Sequence, residues 1–90
     1  MKTRQKIRFT GKVQGVGFRF TSYHLANSLG LTGWVLNDWD GSVLMEVQGD
    51  SETIHVMLKR LEDDVFIEIE RIEKQTISIV ENEASFNIEG

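Results

Sequence analysis

The chain has 90 residues, 40% hydrophobic and 27% charged, with a net charge of −4 at neutral pH. That is room for one domain spanning residues 1–90, and the recurrence of Ile, Val, Leu and Phe excludes disorder. There is no Cys, and the only histidines, His24 and His55, lie far apart, so disulfides, thiolate chemistry and a zinc site are excluded. No stretch approaches the roughly 20 apolar residues that span a bilayer, and the basic N-terminus lacks the apolar run of a signal peptide. A reducing cytoplasm is the expected location.

Residues 5–13 alternate Ile7, Phe9 and Val13 with Arg8, Thr10 and Lys12, which predicts a half-buried strand with Gly11 at the remaining inward position. A Gly-containing loop, Gln14 to Arg19, follows. From Phe20 to Leu29 the period becomes helical, with Ser22, Leu25, Ala26 and Leu29 on one face and Gly30 placed to end the helix. Leu31 to Asn37 reads as a second strand and Ser42 to Gln48 as a third, joined by an Asp38-Trp39-Asp40-Gly41 turn. Asp50 or Ser51 can cap a second helix, whose Ile54, Met57, Leu58 and Leu61 form a single apolar stripe. Phe66 to Thr76 returns to a period of two, with a slip between Ile69 and Ile72 that predicts a bulge near Glu70-Arg71. Ile77 and Ile79 continue this strand, and Phe86 and Ile88 make a short last one.

The order is β-α-β-β-α-β with an extra C-terminal strand. Two helices of this length cover one face of such a sheet, so an α+β, ferredoxin-like sandwich with an antiparallel sheet is expected.

Charge is unevenly distributed. Lys2, Arg4, Lys6, Arg8, Lys12 and Arg19 precede position 38 with no acid among them, and all 14 acids follow. Two readings remain open: basic residues gathered around one loop for a small anion, or solvent-facing strand positions that happen to be Lys and Arg.

The loop itself is the informative segment, Gly11-Lys12-Val13-Gln14-Gly15-Val16-Gly17-Phe18-Arg19. It leads from a strand into a helix N-terminus, where backbone N–H groups are unpaired and the helix dipole is positive. Gly15 and Gly17 allow successive N–H groups to turn inward as an anion nest, and Arg19 adds a guanidinium that grips phosphate in bidentate fashion. A Walker A loop would need Gly where Val16 stands, and a dinucleotide fingerprint would need Gly where Phe20 stands. A Gly-X-Gly loop by itself fits a tight turn as well as a ligand cradle.

The segment GKVQGVGFR, followed by GLTGWVLN at residues 30–37, resembles the two signature segments of the acylphosphatase family. The resemblance runs from the first strand to Gln48 and more loosely to Ile88. It implies a metal-free, cofactor-free hydrolase of acyl phosphates. The phosphate is then bound by the loop amides of Gln14, Gly15, Val16, Gly17, Phe18 and Arg19 and by the Arg19 side chain. Asn37 positions the attacking water. The chain departs from the family at Glu62-Asp63-Asp64, where a Gly-Pro pair is common, and at its end, Glu89-Gly90, where an aromatic residue is common.

A carboxylate leaving group departs without a general acid, so the site needs no His and no carboxylate pair. The expected partner is a small acyl phosphate substrate, with no nucleic acid and no membrane, and the protein is expected to be a monomer. The alternative is an anion-binding regulatory module with the same loop and no turnover. An RNA-binding sheet fits less well, because Phe9 points inward with Ile7 and the chain is acidic. The first domain of large hydrogenase-maturation carbamoyltransferases also resembles this family, but a chain of this length has no room for their other domains. His24 and His55 are expected on solvent-facing helix sides, Trp34 in the core, Trp39 on the hairpin surface, and Asp38 and Asp40 as turn residues.

Overall fold

The computed structural model describes residues 1–90. Its elements are β1 (Lys2–Lys12), α1 (Phe18–Ser28), β2 (Thr32–Asn37), β3 (Val43–Asp50), α2 (Ser51–Glu62), β4 (Glu68–Ile77) and β5 (Phe86–Ile88). They build one sheet in the order β4-β1-β3-β2-β5. The first four strands pair antiparallel, as expected of the ferredoxin-like arrangement. The added strand β5 runs parallel to β2, so the complete sheet is mixed.

The alternation in β1 sends Ile7 and Phe9 into a core shared with Val35 of β2, Val43, Met45 and Val47 of β3, and both helices. The stripe of α2 is buried as its spacing requires: Ile54, Met57, Leu58 and Leu61 all face inward. Asp50 caps this helix by accepting from the Glu52 N–H at 3.1 Å, and Lys59 and Arg60 complement the dipole in its last turn. The bulge falls where the apolar pattern slips. Thr10 pairs with Arg71 but Gly11 pairs with Ile69, which leaves Glu70 as the extra residue and lets Ile69 and Ile72 both pack against the core. At Gly33 (φ 136°) the backbone of β2 approaches β3 so closely that a Cβ would overlap the Glu46 carbonyl oxygen.

The other face of the sheet holds a feature that the sequence pattern does not announce. Residues 78–85 connect β4 at one edge of the sheet to β5 at the opposite edge, and they lie against side chains of the intervening strands. Arg4 of β1 is only 2% exposed. Its Nε donates to Glu46 Oε1 at 2.8 Å, Nη1 donates to Gln48 Oε1 at 3.1 Å and Glu83 Oε1 at 2.7 Å, and Nη2 donates to Glu83 Oε2 at 3.3 Å. Gln48 grips the crossing segment in both directions: its Nε2 donates to Val80 O at 3.0 Å and its Oε1 accepts from Val80 N at 2.8 Å. Burial pushes the Glu83 carboxyl up, but hydrogen bonds from Arg4 and Thr32 and the Arg4 charge outweigh it, and the net shift is downward.

Several expectations change. Apart from Lys12, which borders the loop, the basic residues of β1 do not gather around it. All occupy even-numbered positions, so the period of two puts them on the helix-free face. There Arg4 is buried in its ion pairs and Arg8 binds Asp38 and Asp40 at 3.2 and 3.1 Å. Trp34 is not in the core: Gly33 and Val35 take the inward positions, and Trp34 is half-buried on the opposite face. The fourth strand starts at Glu68 and ends at Ile77, leaving Phe66 exposed in the preceding turn and Ile79 in the crossing segment. No helix is long and apolar enough to cross a membrane.

Candidate active site

The C-terminal end of β1 feeds the N-terminus of α1 through Val13–Gly17. Gly15 (φ 74°) and Gly17 (φ 81°) both adopt left-handed conformations, and Gly17 is the N-cap of α1 without any side-chain cap. The first bond into the helix is Thr21 N–H to Gly17 O at 2.9 Å. None of the backbone N–H groups from Gly15 to Arg19 donates to a protein acceptor. They form a run of free donors at the positive end of a helix.

The loop is tied to the neighbouring hairpin by a side chain. Gln14 Nε2 donates to Asp38 O at 2.7 Å and to Ser42 O at 2.8 Å, both in the turn that follows Asn37. That turn is itself rigid. Asp38 Oδ1 accepts from Trp39 N, and Asp40 Oδ1 accepts from both the N–H and the hydroxyl of Ser42. Those two Ser42 hydrogen bonds, side chain first, hold the Asp40 carboxyl below its usual range. Asp38 and Asp40 are turn residues, as expected, and also bind Arg8. Trp39 is 95% exposed on the hairpin tip.

Between loop and hairpin lies a hollow of about 290 Å³, lined by Val13, Gly15, Gly17, Phe18, Arg19, Phe20, Asn37 and Ile88. Arg19 and Asn37 therefore face one space. Arg19 forms no ion pair within 4 Å, unlike Arg4 and Arg8. The Asn37 side-chain oxygen is buried without a hydrogen-bond partner, while its backbone N–H donates to Gly90 O at 2.8 Å. An unpaired buried acceptor is costly for folding, and its presence in a residue that lines the hollow marks Asn37 as a residue kept for more than packing. Of the sequence-predicted residues, Gly15, Gly17, Phe18, Arg19 and Asn37 line the hollow, whereas Gln14 and Val16 do not. Gln14 instead acts through its amide as the tie to the hairpin. Phe18 belongs to the core, its ring 4.8 Å from that of Phe9.

Sequence reasoning missed Val13, Phe20 and Ile88 as lining residues. Ile88 arrives from β5, which pairs Ile88 with Val35, two residues before Asn37 on the same face of β2. His24 and His55 are exposed, as expected. The structure brings together no group of three or more His, Cys, Asp or Glu side chains. A second hollow of about 310 Å³ on the helix-free face is lined by Lys6, Arg8, Leu44, Glu73, Lys74 and Gln75. It has no unpaired amide run, and its arginine is already bound to two carboxylates.

A family model for acylphosphatase matches residues 5–88. The chain belongs to the acylphosphatase family of enzymes. An acylphosphatase of Clostridium acetobutylicum is 36% identical over 89 residues, covering 98% of each chain. One from Caldanaerobacter subterraneus subsp. tengcongensis is 47% identical over 58 residues, 64% of each chain. The crystal structure of acylphosphatase from Bacillus subtilis superposes with a TM-score of 0.89 at 27% identity, over 100% of both chains. The likeness thus extends over the whole chain.

Proposed function

We propose that this chain, as one acylphosphatase-like domain, hydrolyses acyl phosphates to a carboxylate and inorganic phosphate by direct attack of a water held by Asn37. The observation that carries the reading is the shared hollow: the glycine loop with its free amides, the unpaired Arg19 and Asn37 all line one space.

The roles follow from the chemistry of each group. The N–H groups of the Gly15–Arg19 loop and the Arg19 guanidinium bind the phosphoryl oxygens and stabilise charge as it develops there. The Asn37 carboxamide hydrogen-bonds the water, after a turn of the side chain that brings its oxygen to the hollow, and aims the water's lone pair at phosphorus. The water oxygen bonds to phosphorus as the bond from phosphorus to the acyl oxygen breaks. The electron pair leaves with the carboxylate, whose conjugate acid has a pKa of about 4–5, so no general acid is needed. A carboxamide is too weak a base to take the water's proton, which passes to a phosphate oxygen of the substrate. The chemistry calls for no metal. The reading places the chain in the cytoplasm, which its cysteine-free composition supports, and takes it as a monomer.

Carboxylate release from benzoyl phosphate, measured for the wild type and Arg19→Ala with and without EDTA, tests this. Losing one transition-state donor costs about 10²–10³ in rate, and Arg19 offers more than one, so turnover by Arg19→Ala should fall at least that far. EDTA should leave the wild type unchanged. A wild type that binds inorganic phosphate without turning over the substrate would favour the anion-binding regulatory module instead.

A further inference from the structure

The mouth of the hollow carries apolar surface that folding has not buried. Phe20 is 64% exposed and Ile88 41% exposed, and both line the hollow beside Arg19 and Asn37. The other large exposed apolar side chains, Trp39, Val65 and Phe66 among them, lie outside it. Phe20 is not a free rotor: its ring meets that of His24 edge-on, with centroids 4.4 Å apart, one helical turn along α1. An oriented aromatic face at the rim of a hollow of about 290 Å³ would be covered by an apolar group that enters with the phosphate.

In-line displacement separates the two apolar residues by role. The leaving carboxylate must depart on the side of phosphorus opposite the attacking water. Ile88 sits on β5, paired with the strand that carries Asn37, and is assigned to the side of the water. Phe20 sits on the helix with Arg19 and flanks the remainder of the substrate. Arg19 is the only charged side chain lining the hollow, and it is taken by the phosphate. Nothing is left to hold a second anionic group.

We propose that Phe20 reads the acyl end of the substrate, and that the site selects acyl phosphates with an apolar chain or ring over short or anionic ones. This rests on the hydrolytic reading above and adds a specificity-determining residue to it.

Straight-chain acyl phosphates provide the test, because lengthening the chain changes apolar contact while the leaving carboxylate stays almost constant. The measurement is kcat/KM for acetyl, butyryl and hexanoyl phosphate, with adipoyl phosphate as the six-carbon anionic counterpart of hexanoyl. In the wild type, kcat/KM should rise about tenfold from acetyl to hexanoyl, as expected for a half-exposed apolar contact. Adipoyl phosphate should fall back to the acetyl level or below. Phe20→Ser should bring the hexanoyl-to-acetyl ratio close to one, and Phe20→Leu should restore part of it. Ile88→Ser should lower all substrates together without changing the ratio. A flat wild-type series, an unchanged ratio in Phe20→Ser, or an Ile88→Ser variant that alone abolishes the ratio would overturn the assignment while leaving the hydrolytic reading intact. Failure to hydrolyse any of the four would remove both.

Discussion

Replacing Asn37 with Ala should separate catalysis from folding. The side-chain oxygen is buried and has no partner in the protein, so its removal relieves a desolvation cost of about 1–3 kcal/mol. Against this stand the lost contacts of the truncated atoms, typically about 1 kcal/mol. The backbone bond from Asn37 N–H to Gly90 O survives the change. Folding stability should therefore hold or rise by up to about 2 kcal/mol, each 1 kcal/mol being roughly 4–8 °C in Tm for a domain of this size. The rate should fall at least ~10²-fold, about 2.7 kcal/mol on the barrier, because the nucleophile loses its aim. Thermal melting followed by circular dichroism gives the first quantity and single-turnover hydrolysis of benzoyl phosphate the second. Competitive inhibition by inorganic phosphate reports whether the cradle still binds, and it should be retained. A Tm lowered by well over about 10 °C would make Asn37 a structural residue. Lost phosphate binding with an intact rate constant would refute the division of roles between Arg19 and Asn37.

Two further substitutions test the frame. Gly33→Ala should destabilise by more than about 3 kcal/mol, since the new methyl meets backbone rather than a movable side chain; a near-normal urea midpoint would contradict the close approach of β2 and β3. Glu83→Gln should cost about 1–3 kcal/mol at neutral pH by weakening its bonds to Arg4. The folded-state pKa of Glu83 is lowered, so its contribution is complete above the ordinary glutamate value of 4.5 and fades as pH falls through the lowered one. Wild-type and variant urea midpoints should thus differ at pH 7 and converge in acid; a constant gap would show that the charge of Glu83 is irrelevant.

Much of this was legible in the residues. The stripe Ile54, Met57, Leu58 and Leu61 can be buried only on one side of a helix, and the slip from Ile69 to Ile72 located the bulge because a strand cannot face both inward without an extra residue. Trp34 was misassigned although the alternation Gly33, Val35 already excluded it from the core: the size of an aromatic side chain outweighed its parity. Arg4 could not be placed, because a charged residue on an alternating strand normally meets solvent, and its burial depends on Glu83, 79 positions later in the chain. The crossing segment is held by side chains gripping backbone, such as Gln48 on Val80, and such bonds leave no periodic trace. The candidate site was read from Gly15, Gly17, Arg19 and Asn37, whereas the role of the Gln14 side chain as a tie between two loops left no mark in the sequence. Phe20 and Ile88 were missed as lining residues since their convergence needs the parallel pairing of β5.

That pairing has a kinetic consequence. Phe86 docks beside Gly33 across more than half the chain, and a parallel contact of such sequence separation forms only after its long loop has been closed. Ile88 then arrives beside Asn37 as one of the last pieces, so the core collapses before the site has its final wall. In refolding, far-ultraviolet circular dichroism should plateau while hydrolytic activity is still climbing.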